Sequence, residues 1–247
     1  MPAATDLMIG MDAREHLVAI SNYDIDREAT RGLPKVGDYQ TVDWERLQSL
    51  RPQYLIIFQR PDRVPAGMRQ QADALGVQFM NVQTETLEDL YGAMHRLGDI
   101  IQQPELATAA EQKLRGELDA VRASVQGKPK IATLIVRDEK ATAVVGRGTF
   151  LNELLEIAGG ENVIDTVGWP DIDRERLMSL KPQAIIQLLS AAPPQVERQA
   201  LRVWDDLNEI PAVRDKHVHL INEWYTQQPG YHVAELARKM AAALHGS

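Results

Sequence analysis

The 247-residue sequence predicts an α/β protein made of two similar lobes joined by one long α-helix. Three observations support this prediction: a fifteen-residue pattern that occurs twice, an alternation of helical and strand-like segments, and a strand-free helical stretch in the middle. The predicted boundaries are residues 1–100 for the N-terminal lobe, 101–127 for the linking helix and 128–247 for the C-terminal lobe.

The repeated pattern is the strongest of these observations. Residues 39–53 read YQTVDWERLQSLRPQ, and residues 169–183, 130 positions later, read WPDIDRERLMSLKPQ. Eight of the fifteen positions are identical, an aromatic residue begins each copy, and a strand-like apolar segment follows each copy. The period is far longer than that of a solenoid repeat, so the pattern predicts two related lobes.

Local signals define the predicted elements. Asp43 is a good N-cap for the helix in the first copy, Pro52 ends that helix before a strand at residues 54–58, and Asp173 is explained as a cap in the second copy. Thr5 or Asp6 is expected to cap a short helix over residues 7–11. Further strands are predicted at residues 17–20, 77–82, 131–136, 142–145 and 217–221, and helical spacing between residues 106 and 125 predicts the long helix.

Composition restricts the function classes. The apolar content of 44% and the charged content of 25% are typical of a soluble globular protein. The net charge of −8, without a compensating basic segment, argues against a nucleic-acid partner. The absence of cysteine excludes disulfides and thiolate chemistry. The sequence contains no apolar segment long enough to span a membrane, and no signal peptide is visible at its start.

Six ordered motifs carry a resemblance to a known family. They are residues 22–24 (NYD), residues 33–37 (LPKVG), the two ERL…L(R/K)PQ segments, residues 148–154 (GTFLNEL) and residues 158–163 (AGGENV). These motifs resemble the solute-binding proteins of ABC importers for cobalamin and ferric siderophores, and the resemblance covers nearly the whole chain.

The resemblance implies two Rossmann-like lobes on one long helix, with ligand bound in the cleft between them. It also implies a monomeric, non-enzymatic protein outside the cytoplasm that delivers a small metal-containing ligand to a membrane permease with its ATPase. Family members begin with a strand of the type Arg-Ile-Val-Ser-Leu ahead of the segment that Pro2–Thr5 resembles. We therefore expect the first strand of the N-terminal lobe to be missing from this sequence.

Candidate site residues follow from the same resemblance. Glu45 and Glu175 match the one glutamate per lobe that docks against arginines of the permease, although each carboxylate would also stabilise its own helix N-terminus. Five aromatic residues lie in loops that the family places around the cleft, and aromatic faces suit a broad ligand such as a corrin. They are Tyr23, Tyr39, Trp169, Trp224 and Tyr225. Ordinary packing at strand ends is the alternative for each. Arg147 could meet an anionic group of the ligand or be a solvated loop arginine.

Three other functions are less well supported. Haem transporters of this fold often place a tyrosine directly after the Val-Gly pair, whereas here Asp38 occupies that position and Tyr39 follows it. His217 and His219 have a metal-compatible spacing, but no third ligand has a recognisable spacing, so we expect no metal site. No nucleophile elbow, phosphate-binding loop or HExxH motif indicates an enzyme. Corrinoid capture is therefore the first prediction. Ferric-siderophore capture, less favourably haem capture, and a soluble sensor or scavenger without a transporter remain alternatives.

Overall fold

The computed structural model describes residues 1–38, 40–58 and 61–246. The chain divides into two compact units, Met1–Lys113 and Leu114–Ser247, and the division falls within one helix. Each unit combines parallel strands with α-helices, which confirms the predicted α/β class. None of the helices in the described part of the chain is long and apolar enough to cross a membrane.

The N-terminal unit contains a short parallel sheet. Its elements are α1 (Pro2–Gly10), α2 (Trp44–Leu50), β1 (Tyr54–Phe58), α3 (Met68–Ala74), β2 (Gln78–Val82), α4 (Leu87–Ile100) and the first half of α5 (Pro104–Ser124). Strand β1 pairs in parallel with β2, with Tyr54 opposite Gln78 and Phe58 opposite Val82. Three short 3-10 helices, at Arg14–His16, Glu28–Thr30 and Pro61–Arg63, complete the regular structure that is described in this unit.

The C-terminal unit is built on a four-stranded parallel sheet. Its further elements are β3 (Ile131–Val136), α6 (Phe150–Ile157), β4 (Gly160–Asn162), α7 (Arg174–Leu180), β5 (Ala184–Leu189), α8 (Pro194–Arg202), α9 (Pro211–Arg214), β6 (Val218–Asn222) and α10 (Val233–His245). The strand order is β4-β3-β5-β6. Strand β5 is buried along its whole length, as expected for a parallel strand covered on both faces.

The two copies of the repeated pattern fold alike. Asp43 accepts a hydrogen bond from the Arg46 amide at 3.0 Å, and Asp173 accepts one from the Arg176 amide at 2.7 Å. Both carboxylates therefore cap their helices, as predicted, and satisfy amides that the helix itself leaves unpaired. Each helix ends in a left-handed residue, Arg51 in the first copy and Lys181 in the second. The sequence repeat thus encodes the same local structure twice.

Three local predictions were wrong. Residues 17–20 form no strand, because Ile20 makes a single bridge to Lys35 and its neighbours find no partner strand among the described residues. Residues 142–145 likewise form isolated bridges rather than a strand. Helix α1 begins at Pro2, so Asp6 lies inside it. The Asp6 carboxylate is buried and pairs with Arg27 at 3.1 Å instead of capping a helix.

Candidate functional site

The carboxyl edge of the C-terminal sheet is the natural place for a ligand in this unit. All of its strands run parallel, so the segments that follow β3, β5 and β6 begin at the same edge. The chain moves from β3 to β4 on one side and then returns to place β5 on the other, so the connections change direction between β3 and β5. In open α/β sheets, ligands bind outside the carboxyl ends of the strands at such a switch point.

Arg137 lies at this switch point, directly after β3. Its guanidinium carbon is 4.5 Å from the centroid of the Trp169 ring, a cation–π distance. Its Nε is buried and has no hydrogen-bond partner among the described residues. Burial lowers the pKa of the Arg137 guanidinium, and the charges of Asp171 and Asp138 act in the opposite direction. A desolvated cation with an unused donor is chemically suited to an anionic or carbonyl group of a ligand.

The backbone at Arg137 is tied to the neighbouring loops. Gln227 donates through Nε2 to the Arg137 carbonyl at 2.9 Å and to the Leu188 carbonyl at 3.1 Å. Ser190, the first residue after β5, donates through its hydroxyl to the Trp224 carbonyl at 3.0 Å. These bonds join the segments after β3, β5 and β6 into one edge, which holds the candidate residues on a rigid support.

Trp169 connects two side chains at this edge. Its ring is half-buried, and its centroid lies 6.0 Å from that of Phe150, the first residue of α6, with the planes tilted by 57°. Thr149 caps α6 by accepting the Asn152 amide at 3.2 Å, which fixes the start of the helix. The indole therefore contacts both the Phe150 ring at the start of α6 and the guanidinium of Arg137.

The loop that carries Arg147 is bound to the segment before Trp169. The Arg147 amide donates to the Thr166 carbonyl at 2.9 Å, and the Gly168 amide donates to the Arg147 carbonyl at 2.9 Å. A Cβ at Gly146 would lie 2.1 Å from the Thr166 oxygen, so this close approach requires glycine. The structure thus brings Arg147 and Trp169 onto adjacent segments, and the Arg147 side chain is exposed.

Trp224 and Tyr225 form a second aromatic cluster with His232. Trp224 is half-buried and meets both rings edge-on, whereas Tyr225 stacks on His232 at 5.1 Å. The Tyr225 side chain is 4% exposed, and its hydroxyl donates to Glu235 at 2.6 Å. Burial, followed by the bond to Glu235, raises the pKa of the Tyr225 hydroxyl. This geometry favours a supporting role for Tyr225 and leaves Trp224 as the more accessible of the two predicted ligand residues.

Two of the predicted ligand residues, Tyr23 and Tyr39, belong to the N-terminal unit. Tyr23 is 53% exposed, and its backbone amide donates a hydrogen bond to the Ser21 hydroxyl. Tyr39 lies outside the described residues. Its neighbour Asp38 accepts the amides of Gln40 and Thr41 at 2.9 Å each, and these bonds lower the pKa of the Asp38 carboxyl. The predicted contacts of Tyr23 and Tyr39 with ligand stay predictions.

Glu45 and Glu175 occupy equivalent positions in the two units. Each is the second residue of its helix, two positions after the capping aspartate, and each side chain is exposed. Neither forms an ion pair with another residue in the described part of the chain. Both carboxylates are thus available to a partner, although their docking role stays a prediction.

The described residues contain no group of three histidine, aspartate or glutamate side chains placed to hold a metal ion. His217 directly precedes β6 and His219 lies on it, and their ring centroids are 5.4 Å apart. Strand β6 is at the edge of the described four-stranded sheet. Burial, and then the charge of His217, lowers the pKa of His219.

Sequence reasoning missed Arg137 and Gln227. A signal for Arg137 was present, since a charged residue directly follows a buried strand, but its importance depends on the strand order. Gln227 gave no signal, because its two acceptors lie 90 and 39 positions away.

Comparison with known proteins decides the family. Residues 2–224 match the family model described as periplasmic binding protein. The chain belongs to the periplasmic binding protein family. It is also 24% identical over 231 residues to the vitamin B12-binding protein of Vibrio vulnificus (strain YJ016), covering 92% of this chain and 82% of the relative.

Two solved structures share the fold. One is an ABC transporter substrate-binding protein from Listeria monocytogenes, with a TM-score of 0.83 and 20% identity over 100% of this chain and 97% of that one. The other is a periplasmic heme binding protein from Pseudomonas aeruginosa, with a TM-score of 0.82 and 24% identity over 100% of this chain and 91% of that one. These likenesses confirm the fold class.

Family membership confirms the prediction of a solute-binding protein of an ABC transporter. Members are extracytoplasmic solute-binding components of ABC transporters and are not enzymes. The partners that this implies are a small-molecule ligand, a permease and its ATPase. The identity of the ligand and the roles of individual residues are matters for proposal.

Proposed function

We propose that this protein captures cobalamin or another corrinoid and delivers it to the permease of an ABC importer. The observation that carries the choice of ligand is the similarity to a vitamin B12-binding protein across 92% of the chain. The proposed sequence of events is capture of the ligand, docking of the loaded protein through Glu45 and Glu175, and release of the ligand to the permease.

The chemistry at the carboxyl edge of the C-terminal sheet supports this ligand. A corrinoid has a broad, poorly hydrated ring whose rim carries amide groups, and cobalamin adds a phosphodiester. Trp169 and Trp224 are half-buried, so part of each indole stays exposed, and aromatic surface buries much area with little loss of side-chain entropy. Arg137 and Arg147 offer donors to carbonyl or phosphate oxygens at the rim.

A ferric siderophore is the second candidate ligand, and haem is the third. Arg137 is the observation that favours both, because a partly desolvated guanidinium with an unused Nε is best matched by a carboxylate or another anionic group. Haem and many siderophores carry such groups. A soluble sensor or scavenger that keeps the ligand site without a transporter is the competing class of function.

A ligand screen tests the proposal. The purified protein is mixed with cobalamin, cobinamide, haem and ferric siderophores, and its melting temperature and the visible spectrum of each ligand are followed. A specific ligand raises the melting temperature by mass action. Stabilisation by a corrinoid with a saturable spectral change supports the proposal. No response to any corrinoid, together with a response to a siderophore or haem, would replace the first ligand by the alternative.

A further inference from the structure

The switch point of the C-terminal sheet is the place where β3 separates from β5. The ladder between the two strands ends at the pair Val136 and Gln187, and Arg137 is the first residue beyond it. Strand β5 continues its ladder with β6 as far as Leu189. The backbone groups of the segment that carries Arg137 therefore need partners from outside the β3–β5 ladder.

Gln187 is a buried polar residue in an otherwise apolar strand. The other five residues of β5 are alanine, isoleucine and leucine, and the Gln187 side chain is fully buried. Burial of an amide costs free energy unless its groups have partners. The Gln187 Oε1 accepts the Trp204 Nε1 at 2.9 Å, and its Nε2 donates to the Asp138 carbonyl at 2.7 Å. An indole N–H can only donate, so this contact fixes which end of the amide faces Asp138.

The donor end of Gln187 serves a group outside the core. Trp204 packs in the same apolar cluster as Ile185 of β5, and its indole N–H requires an acceptor only. The Gln187 Nε2 instead reaches the backbone of the segment after β3, one residue beyond Arg137. This bond joins β5 to that segment just past the end of their ladder, so a side chain takes over where the backbone bonds stop.

Gln227 holds the preceding carbonyl in a similar way. Its Nε2 donates to the Arg137 carbonyl at 2.9 Å and to the Leu188 carbonyl of β5 at 3.1 Å. A primary amide has two N–H donors, so both bonds can form at once. Two glutamines thus tie two consecutive carbonyls, those of Arg137 and Asp138, to β5. The Arg137 amide donates to the Ala143 carbonyl at 2.8 Å, so both backbone groups of Arg137 are paired.

This support bears on the contact between Arg137 and Trp169. The guanidinium carbon lies 4.5 Å from the ring centroid, and the Arg137 Nε is buried. A long side chain loses much rotamer entropy when it is held in one place, whereas a cation–π contact contributes a modest free energy. A backbone that is already fixed leaves less disorder for this contact to overcome, as a site with a supporting layer of hydrogen bonds requires.

We propose that Gln187 and Gln227 are positioning residues for the ligand site, which together hold the Arg137 guanidinium against Trp169. Each glutamine acts on a carbonyl of the backbone that carries the guanidinium, so neither has to touch the ligand. The importance of this arrangement for ligand binding rests on the proposed function. The contact between Arg137 and Trp169 is a property of the ligand-free protein and is tested by itself.

Nuclear magnetic resonance of the ligand-free protein tests the positioning role. The Arg137 Nε–H signal, assigned with Arg137→Lys, is displaced by the ring current of Trp169, and Trp169→Ala gives its position without the indole. Gln187→Met and Gln227→Met keep a side chain of similar length and remove its hydrogen bonds. Each variant is expected to lose part of the displacement, and the double variant is expected to lose most of it.

Two control variants separate positioning from a general loss of stability. Trp204→Phe removes the indole donor but leaves the bond from Gln187 to Asp138, and Gln228→Met removes a glutamine that donates to the Trp224 carbonyl instead. Both are expected to keep the displacement of the Arg137 signal, and urea unfolding measures their stability in parallel. An unchanged displacement in the glutamine variants, or an equal loss in the controls, would overturn the proposal. If Gln187→Met does not fold, Gln227→Met, which changes a residue in a turn, decides alone.

A titration with cobalamin tests the link to ligand binding. Gln187→Met and Gln227→Met are each expected to weaken binding by about tenfold, because a displaced guanidinium loses a charge-assisted hydrogen bond to the ligand. Trp204→Phe is expected to bind as wild type does. Unchanged affinity in variants that lose the displacement would overturn the role of this contact in ligand binding. If wild type does not bind cobalamin while the Arg137 signal responds as expected, the proposed ligand is wrong and the positioning of Arg137 is supported.

Discussion

The guanidinium carbon of Arg137 lies 4.5 Å from the centroid of the Trp169 ring, although the two residues are 32 positions apart. Strand order brings them together, since Arg137 follows β3 at the switch point of the sheet and Trp169 begins the second copy of the repeat. The pair joins an aromatic surface to a partly desolvated cation. This combination suits the proposed contacts with the face of a flat ligand and with an oxygen at its rim.

Replacement of Trp169 tests the aromatic part of this site. Trp169→Ala is expected to weaken corrinoid binding by about tenfold or more, because the indole supplies a large apolar contact. Arg137→Lys is expected to have a smaller effect, since it keeps the charge but loses the planar stacking. Spectroscopic titration of the purified variants measures both. Arg202→Ala, an exposed arginine on α8, is the control, and unchanged affinity in Trp169→Ala with an intact fold would exclude the residue from the site.

The second prediction concerns docking. The double variant Glu45→Gln with Glu175→Gln keeps the size of both side chains and removes two charges from exposed, equivalent positions. The proposed docking contact uses both charges, so their joint loss is expected to abolish transport while ligand affinity stays within about twofold of wild type. Uptake of labelled ligand in cells and titration of the pure protein give the two readings. Glu209→Gln, also exposed, is the matched control. Normal uptake by the double variant would refute the docking role.

The repeat shows which parts of the fold could be predicted from the sequence. Asp43 and Asp173 cap their helices as predicted, because capping depends on the aspartate and an amide three residues later. Residues 17–20 have a strand-like sequence, but a strand also needs a partner, and among the described residues Ile20 makes only a single bridge, to Lys35. A pattern within one segment carries no information about that partner.

Only part of the candidate site could be predicted from the sequence, because local motifs carry no information about strand order. Trp169 and Arg147 could be named from local motifs, and the structure places them on adjacent segments. Arg137 could not be ranked from sequence, because its place at the switch point follows from the order of four strands. Tyr225 looked equivalent to Trp224, but it is buried and its hydroxyl donates to Glu235, which lies in the first turn of α10.

The third prediction concerns the two helix caps. Asp43→Ala and Asp173→Ala each remove an acceptor from the first turn of an exposed helix, and each is expected to lower the free energy of unfolding by about 1 kcal/mol. The variants Asp43→Ser and Asp173→Ser retain a capping oxygen and are expected to recover most of the loss. Urea unfolding measures all four. If the serine variants are as unstable as the alanine variants, the hydrogen bonds to Arg46 and Arg176 are not the source of the effect.

The last prediction is a dependence of stability on alkaline pH that comes from Tyr225. Burial and the bond to Glu235 raise the pKa of its hydroxyl above the value of about 10 that applies in the unfolded chain. The folded protein therefore holds this proton more tightly than the unfolded chain does. The resulting stabilisation is complete below about pH 10 and is lost progressively as the pH rises further, since the unfolded chain ionises first.

Tyr225→Phe separates this contribution from the others. The variant is expected to be less stable at neutral pH by about 1 kcal/mol, because Glu235 loses its donor, and to lose stability less steeply above about pH 10. A residual slope is expected because burial also raises the pKa of Tyr231. Urea unfolding between about pH 8 and pH 11 measures the two curves, with Tyr23→Phe as the exposed control. Parallel curves for wild type and Tyr225→Phe would show that the Tyr225 hydroxyl keeps an ordinary pKa in the folded protein.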